Sequence, residues 1–296
     1  MSSDAAVMVP SQRRSSERAR VALGRLLVYA VLLVLAVVFM APFLWSVSTS
    51  LKSTAEIYTF PPTLFPAVPQ WGNYSRVLEQ VPYGVWVRNS VVIVVMYTVG
   101  SVLTASLVAY SFARFNYPFK NTVFLVTLGT MMLPSQVTLI PQYVLFHHLG
   151  WINTSLPLWV PAWFGGGAFS IFLLRQFLMT LPRELDEAAH IDGAGTFRIY
   201  WAILMPLCKP ALATLTVFSI IDNWTDFQGP LIYLNTPLNF TVAVGLNFFQ
   251  AQTDIKYPME FLLMAGSVMT IVPMVVLFFL TQRFFMEGIV LSGVKH

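Results

Sequence analysis

LPRELDEAAHIDGAGTFRIYWAILMP, residues 181–206, is the densest cluster of charge in an otherwise apolar chain, with apolar runs on both sides. Glu184, Asp186, Glu187 and Asp192 carry negative charge; Arg183 and Arg198 carry positive charge. Pro182 suits the first turn of a helix, where its missing N–H costs nothing. The acids behind it fall near that helix's positive end, where the dipole favours them. Leu185, Ala188 and Ala189 recur at helical spacing, so one face is small and apolar while Glu184 and Glu187 mark another. Gly193 and Gly195 interrupt the pattern and permit a sharp bend. Thr196 is placed to cap a second helix running from Phe197 towards Pro206. The stretch predicts a short helix, an elbow and a second short helix between two membrane spans.

The composition agrees with that setting. Hydrophobic residues make up 56% and charged ones 10% of 296, which excludes an ordinary soluble chain and points to a polytopic membrane protein. The net charge of +4 is no nucleic-acid signal, because the basic residues fall at span ends rather than in one patch. Cys208 is the single cysteine, so an internal disulfide and a cysteine-based metal site are excluded. It reads as a small apolar residue at the start of a span.

Downstream of the elbow, Lys209 to Tyr233 reads as a fifth span and Phe261 to Gln282 as a sixth. The loop between them holds Asn239, Asn247, Gln250, Asp254 and Lys256. Upstream, residues 121–174 carry no charge, enough for a third span ending near Phe146 and a fourth beginning near Leu156. Gly150 to Asn153 breaks the two, beside His147 and His148, which read as a solvated loop rather than a metal site. Gly165, Gly166 and Gly167 would weaken a soluble helix; in lipid they permit close helix–helix approach. Asn89 to Ala113 is the second span, closed by a turn that Arg114 and Lys120 bracket. Ser48 to Arg88 is a proline-rich loop with a short amphipathic helix around Tyr74 to Gln80, and Leu26 to Val47 is the first span. Met1 to Ala22 is basic and reads as a disordered cytoplasmic tail with no cleavage site. The fold class is all-α, a polytopic bundle of six transmembrane helices. With both termini in the cytoplasm, only Lys52, Arg76, Arg88 and Lys256 of 17 Lys and Arg residues lie outside. By the positive-inside rule, that orientation also puts 181–206 in the cytoplasm.

The fifth span offers a second candidate site. Ionisable groups inside a span usually face a bundle interior or a water-filled cavity. Asp222 and Asp226 are four apart and so share a helix face; Asn223 and Trp224 stand beside them, with Gln228 and Pro230 following. Such a cluster supplies the hydrogen-bonding groups and aromatic face that a sugar needs. The same residues also suit an unwound or proline-broken helix that lines a gate without touching substrate. An ion-coupled secondary transporter would instead use Asp222 and Asp226 as a proton relay. That reading leaves 181–206 without a role. A membrane-embedded enzyme would need a nucleophile with a base, or a metal cluster, and the sequence displays neither.

Glu187-Ala188-Ala189, three residues, Gly193, nine residues, Ile203, one residue, then Met205-Pro206 resembles the EAA loop of ABC importer permeases; Met205 departs where leucine is usual. The resemblance implies a coupling helix docking into a groove on an ATPase subunit, with Glu184, Asp186, Glu187, Ala188, Ala189, Asp192 and Gly193 as the coupling residues. Trp71-Gly72-Asn73-Tyr74 with Asn89-Ser90, then Ala109-Tyr110 with Ala113-Arg114, resembles carbohydrate-uptake permeases. Asp222 to Phe227 with Gly229-Pro230-Leu231 resembles their fifth-span signature, and Gly288 to Lys295 the tail of a MalG-like subunit. The implied fold is that of a type I ABC importer permease in a bacterial or archaeal cell membrane. Its parts are a basic tail (1–22), a first span with its extracytoplasmic loop (23–85), a permease core (86–285) and a cytoplasmic tail (286–296). The implied partners are a MalF-like second permease, two ATPase subunits, an extracytoplasmic sugar-binding protein and membrane lipid. No Walker-type phosphate loop occurs, so ATP hydrolysis is expected on the partners, with no cofactor here. An oligosaccharide, a disaccharide or glycerol-3-phosphate would all fit.

Overall fold

The computed structural model describes the backbone of residues 11–251 and 259–293, and the side chains of 22–251 and 259–282. Asp254 and Lys256 lie outside the described residues. Uncharged runs become helices, and among the described residues there are no strands. In order they are α1 (Ser11–Ser50), α2 (Gly72–Gln80), α3 (Tyr83–Arg114), α4 (Lys120–Gly129) and α5 (Ser135–His148). Then come α6 (Ala168–Thr180), α7 (Glu184–Ile191), α8 (Thr196–Leu207) and α9 (Lys209–Thr225). The last are α10 (Gln228–Tyr233), α11 (Val242–Ala251) and α12 (Glu260–Gly293). Among the described residues four helical segments are long and apolar enough to cross a membrane, and counting each of two bent pairs as one crossing gives six.

Helix α3 is the axis, and it serves two apolar cores. Towards the 181–206 end, Ala105, Ala109 and Ala113 pack with Leu174, Leu178, Ile199, Leu204 and Leu215. At the opposite end, Trp86 packs with Val77, Val242, Leu246, Leu262 and Ala265. Small residues set the close approach: a Cβ on Gly166 would sit 2.2 Å from the Ser101 carbonyl. The Ser101 hydroxyl donates to the Gly166 carbonyl at 2.8 Å.

The motif residues of the first half are tethers. Asn73 is buried and its Nδ2 donates to the carbonyls of Ser50 at 2.8 Å and Lys52 at 3.0 Å, tying α2 to the end of α1. Asn89 Nδ2 donates to Leu238 and Phe240, and Ser90 Oγ accepts the Val242 N–H at 2.9 Å. Asn153, at φ +63°, accepts the N–H groups of Asn235 and Thr236 on its Oδ1, each at 3.0 Å. Each amide satisfies backbone groups that a loop would otherwise leave unpaired.

Several expectations change. The first helix starts at Ser11, so residues 11–22 are helical rather than a disordered tail, and no Gly or Pro interrupts that stretch. Helix α12 likewise runs on to Gly293. The third crossing is bent by 98° at Leu133–Pro134: a proline disfavours helical backbone in the residue before it, and Leu133 is extended. His147 and His148 form the last turn of α5, not a loop. The glycine run does more than allow close approach. Gly165, Gly166 and Gly167 all have positive φ and interrupt the fourth crossing before α6.

Candidate functional site

Helix α7 begins at Glu184, two residues after Pro182, with Glu184, Asp186 and Glu187 in its first turn as the dipole favours. It stops where Gly193 takes φ +79°. There the Gly193 N–H donates to the His190 carbonyl at 3.0 Å and the Ala194 N–H to the Ala189 carbonyl at 2.9 Å. That pairing closes the helix end through a left-handed residue, which suits glycine. Thr196 is the first residue of α8 rather than its cap; Gly195 holds the cap position with no side-chain bond. Ile199 to Leu204 winds as a π-turn, and α8 meets α9 at 77°.

The expected coupling residues divide between the two faces of α7. Ala189 is buried in the core. Asp186 is turned inward, its Oδ2 3.0 Å from the Nε of Arg114, with the two side chains only 16% and 7% exposed. Arg114 Nη2 also donates to the Leu181 carbonyl at 3.2 Å. Tyr110, one turn earlier on α3, donates to the Thr196 carbonyl at 3.4 Å, and Ser106 shares a 2.7 Å hydrogen bond with Tyr200. Three successive turns of α3 therefore hold the loop. Glu184, Glu187, Ala188, Asp192 and Gly193 are exposed. Beside them stand Ile191, Phe197 and Trp201, which are 86%, 70% and 57% exposed. Sequence reading missed this apolar rim; its signal was the presence of three large apolar side chains within a polar loop.

In the fifth crossing the expected cluster separates. Helix α9 ends at Thr225, and Asp226 is extended at φ −63°, ψ 120°. Asp222 and Asp226 therefore do not share one helix face as i,i+4 neighbours. The Asp226 carboxylate accepts the Gly229 N–H at 3.2 Å and so starts α10, which is how a short acidic side chain competes with a continuing helix. Asn223 donates back to the Ser219 carbonyl at 2.8 Å. Trp224 is buried, and its indole N–H donates to the Thr270 carbonyl of α12 at 3.2 Å. Asp222 and Gln228 remain exposed. Tyr97 on α3, which sequence reading passed over, lies within electrostatic reach of both carboxylates.

A six-crossing helical bundle that grips a charged elbow against its longest internal helix defines a transport permease. The family model described as a binding-protein-dependent transport system inner membrane component matches residues 89–286, and the chain belongs to that family. It is 35% identical over 213 residues to the arabinooligosaccharides transport system permease protein AraQ of Halalkalibacterium halodurans, covering 72% of this chain and 75% of that one. It is 32% identical over 271 residues to the sn-glycerol-3-phosphate transport system permease protein UgpE of Yersinia enterocolitica, covering 90% and 94%. Among solved structures it superposes with TM-score 0.79 at 23% identity on a chain of a bacterial ABC transporter involved in import of the acidic polysaccharide alginate. That match covers 95% of this chain and 100% of the other, and it shows that the two chains share a fold.

Proposed function

We propose that the chain is the translocation subunit of an ATP-driven, binding-protein-dependent importer of saccharides, working by alternating access. The observation that carries this reading is the 181–206 loop, anchored inward by Asp186 and presenting Glu187, Ala188 and an apolar rim outward. An exposed apolar patch rimmed by charge is a docking surface. The occupant is an ATPase subunit, one of two, and hydrolysis belongs to those subunits. A second permease completes the path and an extracytoplasmic binding protein delivers the sugar. Both termini and the loop lie in the cytoplasm. Family membership favours this reading over an ion-coupled carrier built on Asp222 and Asp226. Those residues, with Asn223, Trp224 and Gln228, form the gate region of the path, Trp224 by packing and Asp222 and Gln228 by exposure.

The test is binding-protein-stimulated ATPase activity of the reconstituted complex. Glu187 meets a cation on the ATPase, and breaking such a contact costs about 2–5 kcal/mol. Glu187→Lys should therefore weaken ATPase docking by about 30-fold or more. Gly193→Val strains a left-handed turn by about 1–3 kcal/mol and should uncouple hydrolysis from uptake with the crossings still inserted. Normal stimulation in both variants would reduce the stretch to an ordinary loop and remove the main support for this function.

A further inference from the structure

We propose that this chain carries its own saccharide subsite, a cavity between Phe227, α11 and α12 that accepts an uncharged sugar unit and disfavours a phosphorylated or carboxylated one. The inference rests on the importer reading above and names the substrate class at a place that reading does not use.

The cavity is a wide-open cleft with a volume of about 400 Å³, within the roughly 300–1,000 Å³ usual for small-ligand sites. Asn247 and Gln250, three apart on one face of α11, line it together with Ser267 and Met264 of α12 and the ring of Phe227. Phe227 follows Asp226 at the break in the fifth crossing, so the broken helix delivers an aromatic face to the cavity's edge.

The two amides differ from the structural asparagines of this chain. Asn73, Asn89, Asn153, Asn223 and Asn239 each donate through Nδ2 to a protein oxygen. Asn247 and Gln250 are exposed, and neither side chain makes a hydrogen bond among the described residues. Each amide offers two donors and an acceptor, a match for sugar hydroxyls, which are both donors and acceptors. An apolar wall with a few free polar groups is the general form of a small-molecule site. An anion makes a different demand. A phosphate or carboxylate leaving water needs a paired cation, and among the described residues no Lys or Arg lines the cavity. Asp222 and Asp226, in the adjoining crossing, add charge of the wrong sign.

The experiment uses the complete importer in proteoliposomes with its binding protein. Labelled uncharged pentose and hexose oligosaccharides are compared with sn-glycerol-3-phosphate and an oligouronate. An uncharged oligosaccharide should be carried in preference to both anions. Asn247→Ala with Gln250→Ala should raise its KM about tenfold, the sum of two modest hydrogen bonds, with the maximal rate little changed. Phe227→Tyr should keep uptake and Phe227→Ala lower it. Both amides are exposed, and stimulated ATPase activity in each variant reports that the complex is assembled. Binding-protein-stimulated ATPase activity with preferred uptake of an anion, with no uncharged sugar carried, or with unchanged KM in the double variant overturns the subsite while the importer stands. Absence of that stimulation in the wild type would instead fail the importer reading.

Discussion

At the 181–206 end the chain turns a charged pair inward, Arg114 against Asp186, and leaves Ile191, Phe197 and Trp201 in the open. At the opposite end polar side chains tie the loops from within, while Phe60, Phe65 and Trp71 stay exposed at 93%, 80% and 70%. Asn73 and Lys52 are buried, Trp86 is covered, and Asn89, Asn153 and Asn239 close the loops with their own hydrogen bonds. Large exposed apolar side chains, tryptophan above all, are where binding energy concentrates in an interface. The difference lies in the loops: the 181–206 loop is anchored by one ion pair and leaves its apolar rim open, whereas the loops of the other end are closed by several hydrogen bonds of their own. The difference also separates two kinds of damage. Loss of a group at the first end should be felt in coupling, and loss at the second in local order.

The largest effect is expected at the ion pair. Removing one partner of a buried pair costs about 3–5 kcal/mol, because the other charge is left stranded. Arg114→Ala should therefore detach α7 from α3, lowering both the melting temperature and the amount of ATPase recovered with the complex. Arg114→Met combined with Asp186→Leu removes both charges and should regain the melting temperature without regaining full coupling. If Arg114→Ala melts as the wild type does, the loop is not anchored there and the contrast between the ends collapses.

What the sequence made legible follows the same division. The elbow was readable because charge, glycine and apolar spacing change together within 26 residues. The crossings were readable because lipid demands long uncharged runs. The bend at Pro134 was not. Pro42, Pro141 and Pro273 lie inside α1, α5 and α12, which continue through them, so a proline in an apolar run does not by itself mark a break. The facing of Asp186 was equally hidden. It stands between Glu184 and Glu187 in the same turn, and only the distant Arg114 decides that it points inward. Trp224 is a similar case: its indole looks free in the sequence, and Thr270 of α12 takes its hydrogen.

A middle-sized effect is expected at Asn153. Its Oδ1 accepts two backbone N–H groups, its Nδ2 donates to Thr236 Oγ1 at 2.7 Å, and its carbonyl accepts Asn239 Nδ2 at 2.7 Å. Asn153→Ala removes those exposed side-chain bonds, each worth about 0.5–1.5 kcal/mol net at most, and places a Cβ without local hydrogen bonding at φ +63°. Hydrogen exchange at Asn235 and Thr236 should quicken while ATPase recovery stays at the wild-type level. A fall in ATPase recovery would show that the two ends are not independent.

The smallest effect is expected at Glu56, in the exposed loop between α1 and α2. Its carboxylate accepts the Ser53 N–H at 3.0 Å and the Ala67 N–H at 2.8 Å, pinning the two ends of a proline-rich stretch together. Those backbone bonds, Ser53's first and Ala67's second, hold its pKa below the ordinary 4.5, against a smaller opposing push from burial. A depressed carboxylate contributes stability that is full above its ordinary value and lost as pH falls through the lowered one. Protection of the Ala67 amide against exchange, corrected for the intrinsic pH dependence of exchange, should therefore hold from pH 7 down to about 5. It should fade only below the ordinary carboxylate range. Glu56→Gln has no charge to lose, so its weaker protection should be flat with pH over the same window. Uptake at neutral pH should change little, because the loop contains none of the residues assigned to coupling or to the path. Equal protection of Ala67 in the wild type at pH 6 and pH 3 would mean that the carboxylate does not hold this loop.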